Sequence, residues 1–279
     1  MVLCTLHLIS LKDGVSHASF LSKLRQNGIK PLVQARPLRW MILPTQLYAG
    51  HLLARNTRWD IFLILESPSD SSVSGGGSIP PSIQASDIAA SWTATCGASA
   101  KMLAEYRTTN AALLHPAPGS VKAPEAPALD PATSGQNLEM THETASWIAA
   151  LPPRLRGHPV SMLNLLAFNP GKKDQYKRYG AEFSKRIGSR HGGRVKIVGR
   201  VTATEEDQEA GAREAGWDEI AWVHYPSIEH FAAMAASKDY QEVNREYRLG
   251  ALKDTFIMCM MEVDDHGEVV DVRAGREKL

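Results

Sequence analysis

Residues 217–227 read WDEIAWVHYPS, and residues 59–69 read WDIFLILESPS. Each is a Trp-Asp pair that opens an apolar run and closes on Pro-Ser, the pattern of a buried strand ending in a turn. The Trp-to-Pro spacing is the same, from Trp59 to Pro68 and from Trp217 to Pro226. Upstream, TLHLISL (residues 5–11) resembles MLNLLAF (residues 162–168), and each is followed after two intervening residues by glycine, Gly14 and Gly171. His7 then corresponds to Asn164. A third match pairs Glu105-Tyr106-Arg107 with Glu246-Tyr247-Arg248. Shared order and spacing indicate an internal repeat.

Working outward from residue 217, the second half reads as strand, helix, strand, strand, helix, strand. Val160–Phe168 is an apolar strand. Lys173–Arg190 has helical spacing, with Tyr176, Tyr179, Phe183 and Ile187 on one face and Gly192-Gly193 as its stop. Arg194–Val201 and Trp217–Tyr225 are strands flanking an acidic loop. Ser227 caps a helix, a further helical stretch runs over Tyr240–Leu252, and Thr255–Val263 is the last strand. This order predicts an α+β, ferredoxin-like β-α-β-β-α-β unit. The first half reads the same way with a weak or missing last strand and an inserted segment, Thr45–Asn56, that carries Tyr48 and His51. The expected domains are residues 1–114, a degenerate unit, and 141–279, a better preserved one. A Pro/Ala-rich linker at 115–140 joins them, and a Ser/Gly/Pro-rich loop covers 67–81.

The 279 residues, 43% hydrophobic and 22% charged, suffice for two ordinary globular units. With 31 basic and 30 acidic side chains, nothing in the charge favours nucleic acid or an anionic membrane as partner. A weakly charged, hydrophobic small molecule fits better. Cys4, Cys96 and Cys259 are too far apart in sequence for a zinc or redox motif and read as reduced core thiols. The opening residues form an apolar run without a basic flank, so a strand of a cytoplasmic protein is expected rather than a leader. No GxGxxG, phosphate-binding loop, HExxH or GxSxG occurs, and neither a cofactor nor a metal is expected.

The strand VSMLNLLAF, the Trp-initiated strand ending in Tyr-Pro-Ser, and the helix SIEHFAAMAASKDYQEV together resemble the dimeric α+β barrel superfamily, in particular its small uncharacterised members. The likeness covers the second half directly and the first half through the repeat. It implies two sheets packed face to face, here as an intramolecular pseudo-dimeric barrel around a shared pocket. It also implies a range of chemistries: cofactor-free monooxygenation of polycyclic phenols, polyketide cyclisation, lactone isomerisation and haem catalysis. No histidine stands in a setting that matches the haem branch.

Several residues could carry such chemistry. His7, mid-strand in an apolar run, is either a general base or a hydrogen-bonded core histidine. Asn164 could donate to an enolate or tie strands together. His224 and Trp222, on one strand face, could move a proton and hold an aromatic ring, or form a rim and a core. Expected substrate contacts include His51 and Tyr48 in the insertion, and Arg36 and Arg200 at the ends of the second strands. Tyr106 and Tyr247 read as packing. The expected function is a cofactor-independent enzyme acting by proton transfer on an aromatic or polyketide-like metabolite, through cyclisation, isomerisation or oxygenation. The alternative is a ligand-binding or assembly protein, with a homodimer as the expected assembly, to which the methionine-rich last strand (Met258, Met260, Met261) points.

Overall fold

The computed structural model describes residues 1–47, 49–50, 52, 57–67, 77–204 and 216–270. Tyr48, His51 and nearly all of the acidic loop lie outside these. The strands are β1 (Val2–Leu11), β2 (Val33–Ile42), β3 (Ile61–Glu66), β4 (Ile88–Ala98), β5 (Val160–Phe168), β6 (Arg194–Thr204), β7 (Glu219–Tyr225) and β8 (Leu252–Glu262). They form one closed antiparallel barrel in the order β1-β3-β2-β8-β5-β7-β6-β4. Within it β4-β1-β3-β2 and β8-β5-β7-β6 are two four-stranded runs of the same order, joined edge to edge by β2–β8 and β4–β6. Closure leaves neither run with a free edge.

The Trp-Asp signature has the same local role in each run. Asp60 accepts the Leu11 N–H at 2.8 Å and Asp218 accepts the Phe168 N–H at 2.7 Å, so each carboxylate fastens the end of the run's first strand. The match between residues 105–107 and 246–248 has no such counterpart. Tyr106 lies on the helix Ala100–Leu114 after β4, whereas Tyr247 lies before β8. The last strand of the first half, expected to be weak or missing, is β4, as long as β8. Its inward residues are Trp92, Ala94, Cys96 and Ala98. An alanine-rich stretch with strand periodicity has little strand propensity of its own, and pairing with β1 and β6 decides it.

Alternation along each strand sends one row into the barrel and the other towards the helices. The inner row is large and apolar. Phe62 and Trp222, one from each half, meet with ring centroids 5.3 Å apart, and Trp92, Phe256 and Met258 fill the space around them. The space between the sheets, where a shared pocket was expected, is therefore core, as in other eight-stranded barrels whose side chains fill the interior. Small residues make this possible. A Cβ on Gly199 would lie 2.7 Å from Cys96 Sγ, so glycine lets β6 and β4 approach. Asp254, at the start of β8, accepts the N–H groups of Gln46 and Leu47 at 2.7 Å each and holds the 45–47 segment against one barrel end. The helix Ala100–Leu114 covers the other end, with Leu103 and Tyr106 turned into the core.

The outer faces carry helices. In the first half the helix His17–Gln26, capped by Ser16, packs Phe20, Leu21 and Leu24 on Ile9, Leu63 and Leu65. In the second half the helical stretch 173–191 and the helices Ile228–Ala235 and Lys238–Val243 cover Met162, Tyr225, Ile257 and Cys259. Ser227 and Ser237 cap the latter two. Part of the 115–140 segment lies on this layer: Ala128 N–H donates to Ala236 O at 3.2 Å, and Gln241 Nε2 donates to Leu138 O at 3.0 Å. Among the described residues no helix is long and apolar enough to cross a membrane.

Candidate functional site

A cavity of about 140 Å³ lies between the outer face of the second half's sheet and its helices. Its floor is the outward row Met162, Asn164, Ala221, Val223 and Ile257, and its roof holds Tyr176, Tyr179, Phe183, Phe231 and Arg248. Two roof residues sit in π-helical turns, Phe183 in Phe183–Ile187 and Arg248 in Asn244–Leu249. A π turn is rare and re-aims side chains by one extra residue per turn, and such turns gather at functional sites.

Arg248 is the most unusual group here. It is 2% exposed, and its Nη1 reaches Asn244 Oδ1 at 3.4 Å while Nη2 has no hydrogen-bond partner among the described residues. Its surroundings are tyrosine rings rather than a carboxylate. Burial pushes the Tyr176, Tyr179, Tyr225 and Tyr240 hydroxyls up, so all four are neutral at physiological pH. Tyr179 and Tyr240 share a hydroxyl–hydroxyl contact of 3.4 Å. Tyr176 also interacts with the guanidinium through its hydroxyl. A guanidinium buried without an anionic partner is costly, and the remaining Nη2–H suits a carboxylate, phenolate or enolate oxygen. On the floor, Asn164 Nδ2 donates to Met162 O at 3.0 Å and Ala221 O at 3.2 Å, which fixes the amide. Glu219, paired with Lys173 at 3.1 Å, is the carboxylate of the lining.

Of the candidate site residues that fall within the described residues, Asn164 alone lines this cavity. His7 is on the outward row of β1 in the other half, where its Nε2–H donates to Gly77 O at 2.9 Å. Burial lowers its pKa, against the carbonyl's opposing pull, and it acts as a neutral tie for the chain at Gly77. Trp222 and His224 face the barrel interior instead. His224 is pushed down to about 3 by burial, then by the charges of Lys196 and His230, and it borders a separate, basic cavity of about 310 Å³ with Arg190, Arg194 and Lys122. The expected convergence of His7, His224 and Asn164 is therefore not formed. Alternation puts His224 on the opposite sheet face from Asn164, and His7 belongs to a different run. Arg36 is opposite Met261 on β2, and exposed Arg200 is opposite Glu219 and Gly97. Neither lines the cavity.

Arg248 was missed because it followed a tyrosine read as packing. The available signal was its place in the buried stripe that runs through Tyr240, Val243 and Asn244. Among the described residues no group of three or more His, Cys, Asp or Glu could hold a metal.

No family model matches the chain, and no curated protein does. Among solved structures, it is similar to the methylated RPA0582 protein, with 23% identity and a TM-score of 0.37 over 45% of this chain and 94% of that one. A second structure of the RPA0582 protein, described as of unknown function from Rhodopseudomonas palustris, gives 24% identity and a TM-score of 0.33 over 43% and 92%. A putative chlorite dismutase, TA0507, gives 14% identity and a TM-score of 0.38 over 95% and 97%.

Proposed function

We propose that the chain is two ferredoxin-like units in tandem, closed into an intramolecular dimeric α+β barrel, whose second unit binds a small apolar molecule bearing one anionic oxygen. The equal strand order of the two runs and the paired Asp60 and Asp218 hydrogen bonds support the first part. The observation that carries the second is the buried Arg248 Nη2, without a hydrogen-bond partner among the described residues, at a mainly apolar and tyrosine-lined cavity. A cavity near 150 Å³ accommodates a molecule the size of benzene. The ligand class is therefore a single-ring carboxylate, phenol or enolisable carbonyl compound rather than a polycycle.

The chemistry that this set supports is cofactor-independent proton transfer. Arg248 would stabilise negative charge on an enolate or phenolate oxygen, worth several kcal/mol in a water-poor site. Asn164 holds the floor, and Glu219 at the lining accepts the proton. Isomerisation, cyclisation and oxygenation of an electron-rich phenol all begin with that step. Pure binding is the second reading, favoured by the tyrosines, which are held neutral and are no bases at physiological pH.

Titration of benzoate, phenylacetate, a phenol and toluene, followed by calorimetry and by deuterium exchange at acidic C–H positions, tests this. Anions bound more tightly than toluene by wild type but not by Arg248→Met support the site. Exchange that is lost in Glu219→Gln supports the enzyme. Binding without exchange leaves a carrier, and no binding of any single-ring compound refutes the assignment.

A further inference from the structure

A different cluster lies at the barrel end covered by the helix Ala100–Leu114. Lys196 is the bulged residue of β6, where the register with β7 shifts between Val195 and Ile197. The bulge turns it inward, beside Ile197, onto the Trp222 ring at 5.4 Å and the Tyr106 ring at 6.0 Å. Its side chain is 1% exposed. Lys196 Nζ pairs with Glu262 Oε1 and donates to Asn110 Oδ1 at 2.8 Å. Asn110 Nδ2 donates to Glu262 Oε2 at 2.6 Å. One carboxylate thus bridges an amine and the nitrogen of a carboxamide whose oxygen the same amine already holds.

We propose that Lys196 and Asn110 form an intramolecular isopeptide bond, with Glu262 as the proton shuttle. Glu262 takes a proton from the Lys196 ammonium, and the neutral amine attacks Asn110 Cγ. Glu262 then returns the proton to the departing amide nitrogen and takes the second proton from the attacking nitrogen as the tetrahedral intermediate collapses; that proton leaves with the ammonia as ammonium. One N–C bond forms between Nζ and Cγ, one C–N bond breaks, and ammonia leaves with the displaced Nδ2. No oxidant or reductant is needed. Two features prepare the step. Burial lowers the Lys196 pKa, against the pull of Glu262, which eases formation of the free amine. The 2.8 Å contact of Nζ with Asn110 Oδ1 holds the amine beside the carboxamide, and such proximity raises the effective concentration of an amine at an unactivated amide far above that in solution. The product would covalently staple the helix after β4, in the first half, to β6 in the second.

The test is the intact mass of the folded, full-length protein after incubation at 37 °C. Wild type is expected about 17 Da below the sequence mass, the loss of one ammonia. Trypsin should then release a branched peptide joining residues 108–122 to residues 195–200, uncleaved after Lys196. Glu262→Gln, which keeps the shape of the buried side chain, Lys196→Arg and Asn110→Ala should each retain full mass, with folding checked by circular dichroism. Full mass in folded wild type overturns the proposal. So does an ammonia loss that maps elsewhere or survives in Lys196→Arg, and so does a loss of about 18 Da, which would place the bond on Glu262. Because this cluster shares no residue with the Arg248 cavity, failure here leaves the ligand assignment standing, and the reverse holds too.

Discussion

Replacing Arg248 with methionine separates a binding group from a structural one. The guanidinium is 2% exposed and, among the described residues, has no carboxylate partner and leaves Nη2 without a hydrogen bond, so the folded state bears most of its desolvation cost. Buried charges replaced by apolar groups of similar size leave proteins unchanged or more stable by about 1–4 kcal/mol. Here the loss of the 3.4 Å contact to Asn244 and a slightly smaller side chain offset part of that. Net stabilisation of about 0–3 kcal/mol is expected, a rise in Tm of about 2–4 °C per kcal/mol. Ligand response should move the other way. Benzoate at a hundredfold excess over Kd raises wild-type stability by about 2.7 kcal/mol, and the variant should lose most of that increment. Differential scanning calorimetry with and without benzoate reads both. Destabilisation of more than about 2 kcal/mol without ligand would refute the reasoning, since it would mean that the tyrosine shell satisfies the cation and needs it.

Three further outcomes follow from the packing. Trp222→Ala empties the centre of the barrel interior and should cost about 3–5 kcal/mol in denaturant titration; a cost under 1 kcal/mol would mean that the interior is not close-packed. Gly192, at φ +76, has Pro226 Cγ 2.6 Å from where a Cβ would stand, so Gly192→Ala should cost about 1–3 kcal/mol. His224, brought from its usual 6.5 down to about 3, takes up its proton in the unfolded chain before the folded one. Its contribution is full above pH 6.5 and lost as pH falls towards 3, on the order of 5 kcal/mol in all. His224→Gln should flatten that limb against wild type, and parallel curves would show that His224 is free to protonate in the fold.

The outline of the fold was legible where side-chain size and polarity alternate with a large contrast. β5 is a long apolar run, and β3 and β7 carry such runs behind fixed signals, Trp59-Asp60 and Trp217-Asp218, whose carboxylates make the same backbone bond. β4 was not legible as a strand, since Ala90, Ala94 and Ala98 give it the look of a helix. Ala94 and Ala98 face the barrel interior, where Phe62 and Trp222 take the volume. The site was harder. Alternation alone places Trp222 and His224 on one face, but the sequence carries no sign of which face is core and which meets helices. Lys196 illustrates the limit in another way, because a single bulge reverses its direction and no residue type announces a bulge there.

Where a ligand can sit follows from how the two halves divide their volume. Among the described residues, Phe62, Trp92, Trp222 and Phe256 fill the barrel centre, and the apolar cavity beside Arg248 lies on an outer face beneath helices. The first half fills that layer with leucine, isoleucine and phenylalanine from Ile9, Phe20, Leu21, Leu24 and Leu63. The second half places tyrosines and one arginine in the matching layer, on helices broken by two π turns. Packing alone gives no reason for an unpaired guanidinium there, since a leucine would cost less to bury. That local breach of the packing rule in the second half is the feature on which the proposed binding face rests.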